Sequence, residues 1–267
     1  MLAKARAFFV RDLRVAVTYR VSFIESFVGM LFGLVSMLFI SDLINQGSPK
    51  DLAPYGDDYF GFALVGVAFA LFVQVVAGQF AGIVRSAQVM GTLEVMLSSR
   101  TSLPAFLGYS SLYGFAYAML RLVVALTVGA LFLGANLHFD DAAIALLAFV
   151  LTVATFAGIG IFAAAFVVWF KQPEPITAGL TTLSLLVSGV LYPTTVLPGW
   201  LQSLAPLLPL THTMEALRGA LLEGASDVSI MGHVAALAGF SLLLPLSLVA
   251  FELAVRQAKA AGSLAHY

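Results

Sequence analysis

FGFALVGVAFALFVQVVAGQFAGIV, residues 60–84, is a run of 25 residues without one charged side chain. A helix rises about 1.5 Å per residue, so about 20 apolar residues cross the roughly 30 Å hydrocarbon core of a bilayer. Similar apolar runs stand on both sides of it, at residues 22–40, 106–134, 142–169, 176–196 and 233–255. The sequence therefore predicts an all-α polytopic membrane protein with six transmembrane helices.

The composition supports this class. Of the 267 residues, 61% are hydrophobic and 10% are charged, and the mean hydropathy is +1.00. Soluble domains carry about 25% charged residues, which excludes an ordinary soluble protein. We predict one transmembrane domain over residues 1–267.

The distribution of Lys and Arg predicts the topology, because basic residues are retained on the cytoplasmic side. If the N-terminus is inside, two basic residues, Lys50 and Arg218, lie outside and Arg121 lies within a span. The other ten lie inside: Lys4, Arg6, Arg11, Arg14, Arg20, Arg85, Arg100, Lys171, Arg256 and Lys259. Both termini are therefore predicted to be cytosolic, and the protein is assigned to the cytoplasmic membrane.

Residues 1–20 precede the first span and are rich in basic side chains. Leu2, Phe9, Leu13 and Ala16 recur at helical spacing. This pattern predicts an amphipathic helix on the inner membrane surface. The alternative is a plain positively charged flank of the first span.

Several chemistries are excluded or disfavoured. The chain has no cysteine, and its four histidines are far apart in sequence without the HExxH spacing of a metal site. None of its four lysines follows a glycine, as the P-loop pattern requires. We therefore predict no metal, no cofactor bound by this chain and no catalysis by the chain alone, and we expect no nucleic-acid partner.

The long inner connection, RSAQVMGTLEVMLSSRTSL at residues 85–103, predicts a short helix at 87–99. Met90, Leu93 and Leu97 follow i, i+3, i+7 spacing and would form one apolar face, with Glu94 beside it. Such a face on a cytosolic loop is typical of a docking element for a soluble protein. Glu94 could instead serve only as a helix N-terminal carboxylate that interacts with the helix dipole.

The outer segment before the last span, SGVLYPTTVLPGWLQSLAPLLPLTHTMEALRGALLEG at residues 188–224, is too apolar for a solvated loop. Prolines interrupt it, and short helices are predicted at 199–205 and 213–222. We predict a re-entrant segment at 197–224 that caps the bundle or lines an exit. Its candidate site residues are Pro193, Pro198, Trp200, Pro209, Glu215 and Arg218. The alternative is an interfacial loop anchored by Trp200.

The third span carries a polar stripe, because Tyr113, Tyr117 and Arg121 recur every four residues. An arginine inside a span is expensive and commonly marks function. Arg121 could line the transport path, or it could snorkel or form an ion pair. Glu25, one turn into the first span, is a candidate partner for an inner arginine.

Together, the GTLE motif at residues 91–94 and the outer SGVLYPTTVLPGW and PLTHTMEALRGAL stretches resemble the ABC-2 family of ATP-binding-cassette exporter permeases. The resemblance covers essentially the whole chain. It implies a half-transporter that forms a homodimer or heterodimer and docks on separate nucleotide-binding subunits, which bind ATP and Mg. The coupling residues would be Met90, Gly91, Thr92, Leu93, Glu94 and Leu97.

The resemblance further implies export of a drug, a lipid or a lipid-linked glycan across the cytoplasmic membrane, and membrane lipids are expected partners of the chain. An ion-coupled secondary transporter is the alternative function. That class needs an intramembrane carboxylate or an ion site near the midplane. The candidate acids, Glu25 and Glu252, lie near span ends instead.

Overall fold

The computed structural model describes residues 2–45, 52, 55, 58–92, 103–170, 175–222 and 227–260. Over these residues the chain is helical, without strands. The α-helices are α1 Leu2–Thr18, α2 Arg20–Asn45, α3 Tyr59–Val89, α4 Leu103–Phe132, α5 Ala142–Phe170, α6 Pro175–Val187, α7 Gly199–Leu204, α8 Pro209–Leu221, α9 Asp227–Ser241 and α10 Leu243–Ala260. Two 3-10 turns, Thr194–Val196 and Ala205–Leu207, lie in the outer segment.

Five helical segments of the described residues are long and apolar enough to cross a membrane: α2, α3, α4, α5 and the Ser229–Ala258 region of α9 and α10. This confirms the prediction of a helical polytopic membrane protein. Within the predicted span 176–196, the α-helix continues only to Val187, where α6 ends. Gly189 then adopts a φ of 73° and Pro193 precedes a 3-10 turn, so the helix does not continue. The count of six spans stays a prediction.

Helix α3 is the central helix of the bundle and contacts α2, α4, α5, α6 and α8. Its first turn is capped by the Asp58 carboxylate, which accepts hydrogen bonds from the backbone N–H groups of Phe60 and Gly61. Apolar side chains cover the whole circumference of α3. A helix that is hydrophobic on all sides is buried, which agrees with the central position of α3 in the bundle.

The inner end of α3 corrects the predicted start of the coupling helix at residue 87. Residues 87–89 still belong to α3, which ends in a Schellman motif. Gly91 N–H donates to the Gln88 carbonyl and Thr92 N–H to the Ala87 carbonyl, both at 3.0 Å. Gly91 adopts a φ of 65°, which glycine reaches without steric cost. The glycine of GTLE is therefore the residue that ends the second span helix.

The last predicted span, 233–255, contains a break between α9 and α10 at Leu242. Pro245 explains it, because proline has no N–H to donate to the carbonyl of Ser241 and its ring crowds that turn. Leu246 N–H still reaches the Leu242 carbonyl at 3.4 Å. The two helices therefore follow one another closely.

Helix α1 packs beside the first half of α4 through aromatic rings. The Phe8 ring lies 5.5 Å from Phe106 and 5.9 Å from Tyr109, and Phe9 lies 6.1 Å from Tyr113. Helix α2 makes fewer contacts with the bundle, and many of its side chains are largely exposed. This loose packing leaves a groove beside α2.

Candidate functional site

The C-terminal tip of α3, which the predicted topology places inside and which we call the inner tip, presents apolar side chains to the surroundings. Val89 is 71% exposed and Met90 is 65% exposed. The Thr92 hydroxyl lies 3.4 Å from the Ala87 carbonyl and sits within the turn that ends the helix. Three predicted coupling residues, Leu93, Glu94 and Leu97, lie outside the described residues.

The polar stripe of α4 faces α1 and α2. Tyr113 stacks on Tyr117 with ring centroids 6.2 Å apart and also contacts Phe9. The Tyr117 hydroxyl donates to Ser26 Oγ at 2.7 Å. These two tyrosines therefore join α4 to the first two helices, which is a packing role.

Arg121, unlike the two tyrosines, lines a groove of about 820 Å³ between α2, α3 and α4. We call this cavity the lateral groove. Its α2 wall runs from Ser22 to Ile40, and Glu25 lies near its inner end. Within the residues that the structure describes, Arg121 has no hydrogen bond and no ion pair.

The outer segment folds into short helices whose starts coincide with prolines. Pro193 precedes the turn Thr194–Val196, Pro198 precedes α7 and Pro209 is the first residue of α8. Proline suits these positions, because it has no N–H to donate and its φ is preset for the first turn. Trp200 on α7 is 68% exposed, whereas α8 is buried along most of its length.

Arg218, on α8, is fully buried and makes three hydrogen bonds to backbone carbonyls. Nε donates to Phe62 at 3.1 Å, Nη1 to Gly189 at 2.6 Å and Nη2 to Val190 at 2.6 Å. The guanidinium carbon also lies 3.4 Å from the Phe62 ring centroid. One side chain thus joins α8 to the start of α3 and to the turn after α6.

The turn after α6 is a suitable acceptor. The Gly189 and Val190 carbonyls lie past the end of α6 at Val187 and are buried, so they need donors from elsewhere in the chain, and the guanidinium supplies them. Burial lowers the pKa of Arg218 to about 10, while the charge of Glu215, one helical turn earlier, opposes that fall. The guanidinium is therefore charged at neutral pH.

Glu215 is held by Tyr55, whose hydroxyl donates to Oε2 at 2.8 Å. Burial, and then Glu215, raise the pKa of Tyr55 well above its usual range, so the phenol keeps the proton that it donates. The Tyr55 ring also meets Phe62 edge-on at 4.9 Å. We call this cluster, formed by Tyr55, Phe62, Glu215, Arg218 and the carbonyls of Gly189 and Val190, the outer latch.

The sequence identified Glu215 and Arg218 as residues of the outer segment but not the latch that they form. The sequence placed Arg218 in the outer segment, and the structure adds that its side chain is fully buried. A signal existed in the sequence. Arg218 is the single Lys or Arg of the PLTHTMEALRGAL stretch, one turn after Glu215. The carbonyls that it binds could not be found by spacing, because they lie 28, 29 and 156 residues away.

Gly66 on α3 makes room for the latch, and its replacement tests the geometry. A Cβ at this position would lie 2.1 Å from the Val190 carbonyl oxygen and 2.3 Å from Arg218 Nη2. We expect Gly66→Ala to destabilise the protein by about 2 kcal/mol, because α3 must shift or the Arg218 hydrogen bond must break. Thermal unfolding in detergent, followed by loss of the monodisperse peak, measures this.

Gly78→Ala is the matched control on the same helix, because nothing lies within 4 Å of its added Cβ. Alanine has the higher helix propensity, so this variant should be as stable as wild type or slightly more stable. Equal losses in both variants would show that Gly66 is merely a flexible helix position and that the close approach does not occur.

A pair of histidines that are remote in sequence meets between α8 and α9. His212 Nδ1 lies 3.0 Å from His233 Nδ1, and His212 Nε2 lies 2.9 Å from the Pro206 carbonyl oxygen. His212 donates through Nε2, because a carbonyl oxygen only accepts, and a neutral His212 then accepts through Nδ1 from His233. Within the described ranges no group of three or more potential ligands is close enough to hold a metal ion.

Comparison with known proteins adds one finding. The family model described as "ABC-2 type transporter" matches residues 5–222 of the chain. The match runs from α1 to the end of α8 and so includes the inner tip of α3, the lateral groove and the outer latch. A search of curated proteins found no match.

Proposed function

Since this chain belongs to the ABC-2 type transporter family, we propose that it is the membrane subunit of an exporter driven by a separate ATPase. The family match carries this proposal. Membership makes the chain a membrane permease of an ATP-binding-cassette transporter. The direction of transport, the partner and the cargo are parts of the proposal.

The inner tip of α3 supports docking to the ATPase. At 1.5 Å per residue, this helix of 31 residues is about 46 Å long, about 16 Å more than the hydrocarbon core. It ends in the exposed Val89 and Met90. We propose that residues 89–99, with Met90, Gly91, Thr92, Leu93, Glu94 and Leu97, contact a groove of the ATPase.

The ATPase would bind ATP and Mg, because the chain has no P-loop of its own. Closure of two ATPase subunits around ATP would move the docked segments of two permeases, and each α3 would transmit this movement to its bundle. Helix α3 suits this role, since it is the central helix and extends without interruption from the inner tip to the outer latch.

A second permease subunit would complete the transport path. Helix α2 is the most weakly packed long helix of the described bundle, and a Cβ added at Gly29 or Gly33 would meet nothing within 4 Å. These glycines therefore do not serve close packing within one subunit. They leave room for a second subunit, identical or different, or for lipid.

An amphipathic cargo fits the lateral groove. Its lining is mostly apolar side chains, with charged groups at Glu25 and Arg121. The outer latch would keep α8 and the turn after α6 together at the outer end of the bundle. We propose that this end closes the path until ATP-driven movement of α3 opens it.

Co-purification tests the assignment. The chain, tagged and expressed with an ATP-binding-cassette ATPase from the same genome, should be isolated in a complex that hydrolyses ATP in lipid. A lack of any stable complex, together with transport by the permease alone under a proton gradient, would favour the ion-coupled alternative.

The proposed topology gives a separate prediction. Because the chain has no cysteine, single cysteines at Ser98 and Ser48 report their own sides of the membrane. A membrane-impermeant maleimide should label Ser98→Cys only in inside-out vesicles and Ser48→Cys only in right-side-out vesicles. Labelling of both from one side would contradict the proposed orientation of α2 and α3.

A further inference from the structure

The lateral groove contains an arginine that the packing of the described chain does not explain. Arg121 is partly buried, lies well inside the long helix α4 and has no ion pair or hydrogen bond within the described residues. A charged guanidinium at such a depth is costly unless an anion or other acceptors accompany it. The groove beside it is large enough for a ligand, since small-molecule sites occupy about 300–1,000 Å³.

Glu25 lines the same groove as Arg121. The 2.7 Å hydrogen bond between Tyr117 and Ser26 fixes the register of α4 against α2. Glu25 adjoins Ser26, and Arg121 is four residues, or about 6 Å, beyond Tyr117. The groove therefore carries a cation and an anion about one helical turn apart, among apolar side chains such as Phe72.

We propose that the lateral groove binds a glycerophospholipid with an amine-bearing headgroup. The phosphate lies on Arg121, because a guanidinium binds phosphate oxygens with two parallel hydrogen bonds. The ammonium lies on Glu25, and the acyl chains lie along the apolar wall that continues from Gly29 to Ile40. This inference rests on the proposed function only where the lipid is taken as cargo; binding itself needs no ATPase.

Native mass spectrometry of the purified permease, titrated with single lipids, tests the site. The probes are phosphatidylethanolamine, phosphatidylglycerol and diacylglycerol with the same acyl chains. We expect wild-type affinity to fall from the first to the last. Arg121→Gln should bind phosphatidylethanolamine at least about tenfold more weakly, as expected for the loss of charge-assisted hydrogen bonds. Glu25→Gln should reduce the preference for phosphatidylethanolamine over phosphatidylglycerol by a few fold.

Two further variants sharpen the test. Arg20→Gln removes an exposed arginine at the start of the same helix α2, outside the groove, and should bind lipid like wild type. Gly33→Leu fills the groove where the space is open and leaves both charges, so it should also weaken binding several fold. Wild-type affinity in Arg121→Gln and Gly33→Leu, or no preference of the wild type for phospholipid over diacylglycerol, would overturn the proposal. The permease assignment would be unaffected, because no arm of this experiment uses ATP.

Discussion

Arg218→Met is expected to lower the free energy of unfolding by about 3 kcal/mol, which is more than the loss expected for Gly66→Ala. The variant removes three hydrogen bonds from a charged donor and leaves the buried carbonyls of Gly189 and Val190 without that partner. An unsatisfied buried group costs about 1–3 kcal/mol, and the desolvation of the lost charge offsets part of this. The apparent melting temperature in detergent should fall by roughly 10 °C.

Arg256→Met is the matched control, because Arg256 is exposed and its ion pair with Glu252 is of the i, i+4 surface type. Such pairs contribute less than about 1 kcal/mol, so its melting temperature should change little. Arg218→Lys should fall between the two, since an ammonium keeps the charge but cannot reach three carbonyls in the planar arrangement of a guanidinium. An Arg218→Met variant as stable as Arg256→Met would show that the latch contributes nothing to the fold.

Leu93→Asp is expected to abolish stable assembly with the partner ATPase, because it places a charge in the proposed desolvated docking groove. Burial of an unpaired carboxylate costs several kcal/mol, and about 3 kcal/mol already weakens an equilibrium more than a hundredfold. Co-purification after size-exclusion chromatography measures the loss. The permease itself should remain folded, with an unchanged melting temperature.

Glu94→Ala separates assembly from coupling. We expect the complex to survive, while ATP hydrolysis that depends on the permease falls. Met90, whose exposed side chain ends α3, is the control position, and Met90→Leu should keep the apolar contact and wild-type activity. If Leu93→Asp assembles and transports like wild type, the docking segment is wrong, and the inner connection at Lys171 and Glu174 becomes the next candidate.

The class of fold could be predicted from the sequence because the signal is local. An apolar run such as residues 60–84 forms a helix in a bilayer. The observed helix extends only one residue before and five residues after the predicted span. The short outer helices were predictable for the same reason, since prolines mark their starts. Helix α8 begins four residues before its predicted start of 213, because Pro209 opens the helix instead of separating it from the preceding turn.

The outer latch and the lateral groove depend on contacts between distant parts of the chain. Spacing placed Tyr113, Tyr117 and Arg121 on one face but could not show that the first two pack on α1 and α2 while the third lines a cavity. Likewise, hydropathy extended the predicted span 176–196 past Val187, because the residues that follow are also apolar. It could not show that the chain turns there and that the carbonyls of Gly189 and Val190 accept hydrogen bonds from the Arg218 guanidinium.

The central claim, that a separate ATPase drives this permease, is tested most directly by a cysteine at Ser36 in the lateral groove. The reaction rate of Ser36→Cys with a maleimide is measured in proteoliposomes that contain the permease and its ATPase, with and without ATP and Mg. We predict a several-fold change in rate on addition of ATP, and no change when the P-loop lysine of the ATPase is replaced by alanine. A reaction rate that does not change with ATP but changes when a proton gradient is imposed would contradict the claim.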